Sequence, residues 1–158
     1  MITDKKAIAQ QISAALLGGL FLFSGSLKLQ NPDQLFFSLL EAQIISANAA
    51  YYLSRTLPYL ELALGIVGII AAILPARHFL SRLLCLLFGL CAAFLLMIFN
   101  LYLFIAWQRG LLIDCACFGP LGANWGIGTS LVRNVFLFLW ALFISIGLPT
   151  KKKSTPSP

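Results

Sequence analysis

Apolar residues dominate four stretches of this chain, roughly Ala7–Leu29, Leu57–Leu74, Leu83–Trp107 and Ser130–Leu148. A helix needs about 20 such residues to cross the hydrocarbon core of a bilayer, so each stretch predicts one membrane span. The first is read as a span rather than a cleavable signal, because Lys28 and Pro32 simply end it and no small-x-small site precedes a polar domain. Between the first two runs lies Asn31-Pro32-Asp33, followed by Leu35, Phe36, Leu39, Leu40 and Ile44. Asn31 as N-cap with Pro32 at the first helical position is a start signal, and the apolar spacing suits a short helix in the interface or packed on the bundle. Pro75-Ala76-Arg77-His78 predicts a tight turn, with His78 solvated, and Tyr51, Tyr52 and Trp107 fit an aromatic belt. The expected fold is all-α: a polytopic membrane four-helix bundle over residues 1–150, with a short interfacial helix between spans 1 and 2. Residues 151–158, Lys-rich and then Ser/Thr/Pro, read as a disordered cytoplasmic tail.

Composition agrees with that pattern. Hydrophobic residues make up 60% of the 158 positions and charged residues only 10%, against about a quarter charged in soluble domains. The net charge of +6 does not indicate nucleic acid, because the basic residues lie at the ends of apolar runs, where membrane topology is written. With the N-terminus cytoplasmic, Lys5, Lys6, Arg77, Arg82 and Lys151 to Lys153 lie inside, and Lys28, Arg55, Arg109 and Arg133 outside. Seven against four favours both termini in the cytoplasm. The loop before the fourth span then faces the compartment in which disulfides form and persist.

That loop carries Asp114-Cys115-Ala116-Cys117-Phe118-Gly119. A Cys-x-Cys pair closes a very small ring, and strained disulfides are the more easily reduced. The same face gathers Lys28 at the end of the first span, Glu61 four residues into the second, Asn100 in the third, and Arg133 and Asn134 at the start of the fourth. An ionisable residue inside a span marks a functional site by default, and Glu61 has two natural partners, Lys28 and Arg133. The plainer alternative is that Glu61 and Lys28 snorkel to the interface and pin two helices. In thiol–disulfide exchange Arg133 or Lys28 would favour the thiolate and Glu61 or Asp114 would carry its proton. Asp114 adjoins Cys115, which leaves Cys117 the better nucleophile. A zinc site lacks further ligands on that face. Cys85 and Cys91, six residues apart in the third span, read as small buried apolar side chains.

Ser24-Gly25-x-x-Lys28, Pro58-x-x-Glu61, Asp114-Cys115-Ala116-Cys117-Phe118-Gly119 and Arg133-Asn134, in this order, resemble the MauE group of the DoxX-like membrane proteins, from about Leu16 to Leu148. The resemblance implies a four-helix bundle in the bacterial cytoplasmic (inner) membrane that supports maturation of the disulfide-rich small subunit of methylamine dehydrogenase, with a thioredoxin-like periplasmic partner. It places the redox role on Cys115 and Cys117 and supporting roles on Lys28, Glu61 and Arg133. Three functions are then in view. One is a thiol–disulfide relay to a periplasmic partner and its disulfide-containing client. Another is a quinone-linked thiol or thiosulfate oxidoreductase subunit, with Trp107, Arg109, Phe118 and Trp125 near a quinone. The third is a non-catalytic assembly factor in which Cys115–Cys117 braces the loop, a weak brace given how little chain it closes.

Overall fold

The computed structural model describes residues 2–75, 79–110 and 126–146, with side chains from residue 8 onward. The expectations for Arg77, His78, Asp114, Cys115, Cys117, Phe118, Trp125 and the tail from Lys151 lie outside the described residues. Among the described residues five helices follow one another: α1 (Ile2–Gln30), α2 (Pro32–Glu41), α3 (Ala47–Ile73), α4 (Phe79–Gln108) and α5 (Ile127–Ser145). Four of them, all but α2, are long and apolar enough to cross a membrane, so the chain is an all-α, multi-pass membrane protein.

The spans form two close pairs, α1 on α3 and α4 on α5. Their shared core holds Leu17 and Phe21 of α1, Ala71 of α3, Phe88 and Leu96 of α4, and Ile144 of α5. Phe21 meets Phe88 edge-on, with ring centroids 6.4 Å apart, an arrangement that the ring quadrupoles favour. Leu80, Phe94, Leu101, Phe136 and other large apolar side chains point outward. In water such a surface would be a liability, but against lipid tails it is the ordinary exterior.

Pro32 opens α2 as expected, and Asn31 occupies the N-cap position, although its side chain makes no capping bond. Leu35 and Leu39 are buried against Ala50 and Leu57 of α3. The short helix is therefore docked on the bundle. Tyr102 Oη donates to Ser38 O over 2.8 Å, and Arg109 Nη1 donates to Ala42 O over 3.0 Å and to Gln43 O over 3.4 Å. Arg109 thus satisfies carbonyls just beyond the end of α2, where helix ends leave acceptors without intrahelical partners. Trp107 is exposed beside Phe104, as are Tyr51 and Tyr52.

Two sequence expectations need correction. The second span does not open at Leu57: α3 starts ten residues earlier, with Ser46 as N-cap accepting from Ala49 N over 3.4 Å. Pro58 lies buried inside that helix. Intramembrane helices tolerate an internal proline because neighbours re-satisfy the freed backbone group. Cys91 is not buried. It faces outward while Cys85 is buried, its Sγ 3.9 Å from Ala71 O. The core stripe of α4 runs Cys85, Phe88, Gly89, Ala92, Ala93 and Leu96, and position 91 falls off that stripe.

The end of the bundle where α3 turns into α4 carries neutral polar ties. Ser81 Oγ donates to Ala71 O over 3.2 Å, and the Gln11 side chain reaches Leu74 O.

Candidate functional site

Ala14, Leu17, Phe21, Gly25 and Lys28 of α1 are all buried. Steps of three and four residues put them on one face of the helix, with Ser24 four residues before Lys28. On α3 the buried positions are Ala50, Ser54, Leu57, Pro58, Glu61, Gly65, Gly68 and Ala71. That stripe is made mostly of small residues, and small residues let membrane helices approach closely. Glu61 is the one charged member, near the middle of α3 rather than at its mouth.

The close approach delivers Glu61 to α1. A Cβ at Gly25 would stand only 3.0 Å from Pro58 O and 3.3 Å from Glu61 Cβ, so glycine is what the site allows there. One turn on, Lys28 Nζ donates to Glu61 Oε1 in a direct ion pair. Ser24 Oγ donates to Glu61 Oε2 over 3.1 Å. Lys28 Nζ also stands 4.9 Å from the centroid of the Phe99 ring on α4, within range of a cation–π contact. Lys28 is 3% exposed and Glu61 2%. Snorkelling is therefore the wrong description for either residue. Of the two partners foreseen for Glu61, the bundle uses Lys28.

Next to this pair lies a cavity of about 40 Å³, lined by Leu17, Phe21, Ser24 and Lys28 of α1, Glu61 of α3, Leu96 and Phe99 of α4, and Asn134 and Leu137 of α5, among others. All four spans contribute to its wall. Asn134 is 4% exposed, and its Nδ2 has no hydrogen-bond partner among the described residues. Arg133, one residue earlier on α5, is half-buried and is not part of the wall. Asn100 turns back on its own helix, with Nδ2 donating to Leu96 O over 2.9 Å.

The arrangement brings together Lys28 and Glu61 and adds Ser24, Phe99 and Asn134, to which the sequence reading gave no specific role. A carboxylate, an ammonium and a hydroxyl thus meet in the buried interior of the bundle. Ionisable groups inside membrane spans mark candidate functional sites. Cys115, Cys117 and Asp114 fall in the segment 111–125 that joins α4 to α5, outside the described residues. Asn134 lies eight residues past Gly126, about 12 Å along the helix axis from that end of the connection.

No curated protein matches the chain, and no solved structure does. A family model described as methylamine utilisation protein MauE matches residues 6–147, from the second turn of α1 to just past α5. With four spans and a buried Lys28–Glu61 pair in that matched region, the chain belongs to the MauE family of multi-pass membrane proteins, whose description points to a part in methylamine utilisation.

Proposed function

We propose that this protein is a thiol–disulfide redox protein of the bacterial inner membrane, with both termini cytoplasmic and the Cys115/Cys117 loop in the periplasm. It supports disulfide formation in a periplasmic client, as in methylamine dehydrogenase biogenesis, together with a thioredoxin-like partner. The observation that carries this reading is the buried Lys28–Glu61–Ser24 cluster, beside a cavity that Asn134, eight residues past Gly126, also lines. A brace or an anchor has no need of an ion pair there. Taking two charges out of water is expensive, and well-packed apolar residues would hold α1 to α3 as well or better.

The chemistry balances as follows. A partner thiolate attacks one sulfur of the Cys115–Cys117 disulfide, and the other sulfur leaves as a thiolate. A second partner thiolate then attacks the mixed disulfide, so the partner is oxidised and the cysteine pair takes up two electrons. Each attacking thiol must first give up a proton, and each departing sulfur takes one. In this reading Glu61, which accepts from Ser24, carries that proton between the two events. Lys28 keeps the carboxylate in place.

Cysteine-to-serine variants test the reading. Cys115→Ser, Cys117→Ser and the double variant are expected to accumulate in the membrane like the native chain while client disulfides fall to background. Loss of the membrane protein itself, seen by immunoblot, would instead make the pair a structural brace. Undisturbed client disulfides in the double variant would remove the redox role.

A further inference from the structure

An unpartnered hydrogen-bond donor inside a membrane protein is expensive, because no lipid group can accept from it. Asn134 Nδ2 is such a donor among the described residues, 96% buried on a wall of the cavity that also exposes Ser24 and Glu61. The size of that cavity limits what can meet it. An apolar cavity that accepts a benzene ring measures about 150 Å³, whereas a water needs about 10–15 Å³ and two to four polar partners. At about 40 Å³ the space is smaller than a ring needs and large enough for about three waters on that scale. Its polar partners are a carboxamide, a hydroxyl, a carboxylate and the Lys28 ammonium, and the rest of the wall is apolar: four leucines and the rings of Phe21 and Phe99.

We propose that this cavity is a water-binding site, in which Asn134 Nδ2 donates to a water that in turn donates to the Ser24–Glu61 pair and gives Glu61 its proton exchange. Asn134 is then a positioning residue. It acts through the water and not on a thiol. Among the described residues, the groups around Glu61 are Lys28 and Ser24 from α1, with the Phe99 ring of α4 against Lys28 and Asn134 of α5 on the cavity wall. The connecting water turns a buried carboxylate into one that can accept a proton and return it. That use of the site rests on the redox function proposed above; the hydration does not.

Deuterium exchange on the native chain in lipid nanodiscs tests the site, with D2O as the probe. The Asn134 carboxamide protons, assigned by their loss in Asn134→Leu, are expected to exchange within minutes, as a hydrated amide does. Leu137→Phe fills the cavity from its apolar side and alters no polar group. In it, exchange at Asn134 is expected to slow by at least about tenfold, the change in rate that corresponds to about 1.4 kcal/mol. Client disulfide formation should slow with it while the chain accumulates normally. Protection of Asn134 for hours in the native chain, or exchange unaltered in Leu137→Phe, would overturn the water site. Exchange lost with client oxidation unchanged would overturn its role in proton transfer. The exchange readout does not involve the cysteines, so failure of the redox reading leaves it standing, and the reverse also holds.

Discussion

Glu61→Leu, made alone, is expected to destabilise the bundle by about 3–5 kcal/mol, the penalty for leaving one buried charge without its partner. Lys28 would remain 3% exposed with its ammonium against the Phe99 ring and no carboxylate. Lys28→Met strands Glu61 in the same way, with only Ser24 still donating to it. The double variant Lys28→Met/Glu61→Leu is expected to recover most of the loss, because apolar residues of similar volume replace a buried ion pair at little or no net cost. Unfolding midpoints of the four proteins in mild detergent, taken as a double-mutant cycle, measure the coupling directly. Additive single effects of a few tenths of a kcal/mol would mean that the two groups are solvated, not paired. The double variant also separates stability from function: folded and unable to support client oxidation is the expected combination.

Gly65→Ala is the second large effect. An added Cβ would sit 2.6 Å from Leu22 Cγ and 2.8 Å from Gly18 O. Leu22 can swing aside, but the carbonyl of Gly18 belongs to the backbone of α1 and cannot. The helices must separate by several tenths of an ångström. Gly65 is one turn past Glu61 on the same face, so the separation also opens the ion pair. Overpacking in a well-packed interior costs about 1–3 kcal/mol, and loosening the Lys28–Glu61 contact adds to that. Thermal unfolding should show a drop in midpoint larger than that of Gly128→Ala, where a Cβ meets nothing within 4 Å. Equal midpoints for the two variants would mean that α1 and α3 are not in close contact at Gly18.

The apolar runs were enough to read the number of spans, because the length requirement of a bilayer leaves few alternatives. The short helix α2 was also legible from Pro32 and the spacing of Leu35 and Leu39. The true start of α3 was not. Ser54, Arg55 and the two tyrosines interrupt the apolar run, so the span read as opening at Leu57. What overrode them was the Ser46 cap and the packing of Ala50 and Leu57 on α2, a tertiary contact that local sequence does not report. At the site, Lys28 and Glu61 stood out as charges in apolar surroundings, and the choice between Lys28 and Arg133 was settled by which helices pair. The stripe Ser54, Leu57, Glu61, Gly65, Gly68, Ala71 carried that information in its three- and four-residue steps. Asn134 read as a residue opening the fourth span. Only the assembled wall reveals its unsatisfied amide. Cys91 was misplaced for want of the same stripe count on α4.

The central claim is that Cys115 and Cys117 form an outward-facing, reversible redox pair, and their state in intact cells tests it most directly. Cells would be acid-quenched and labelled with a membrane-impermeant maleimide, with and without prior reduction, across a series of applied redox potentials. The account predicts two thiols that label from the periplasmic side only after reduction and that titrate together and reversibly. Thiols unreactive from outside, or a bond that no applied potential reduces, would contradict it.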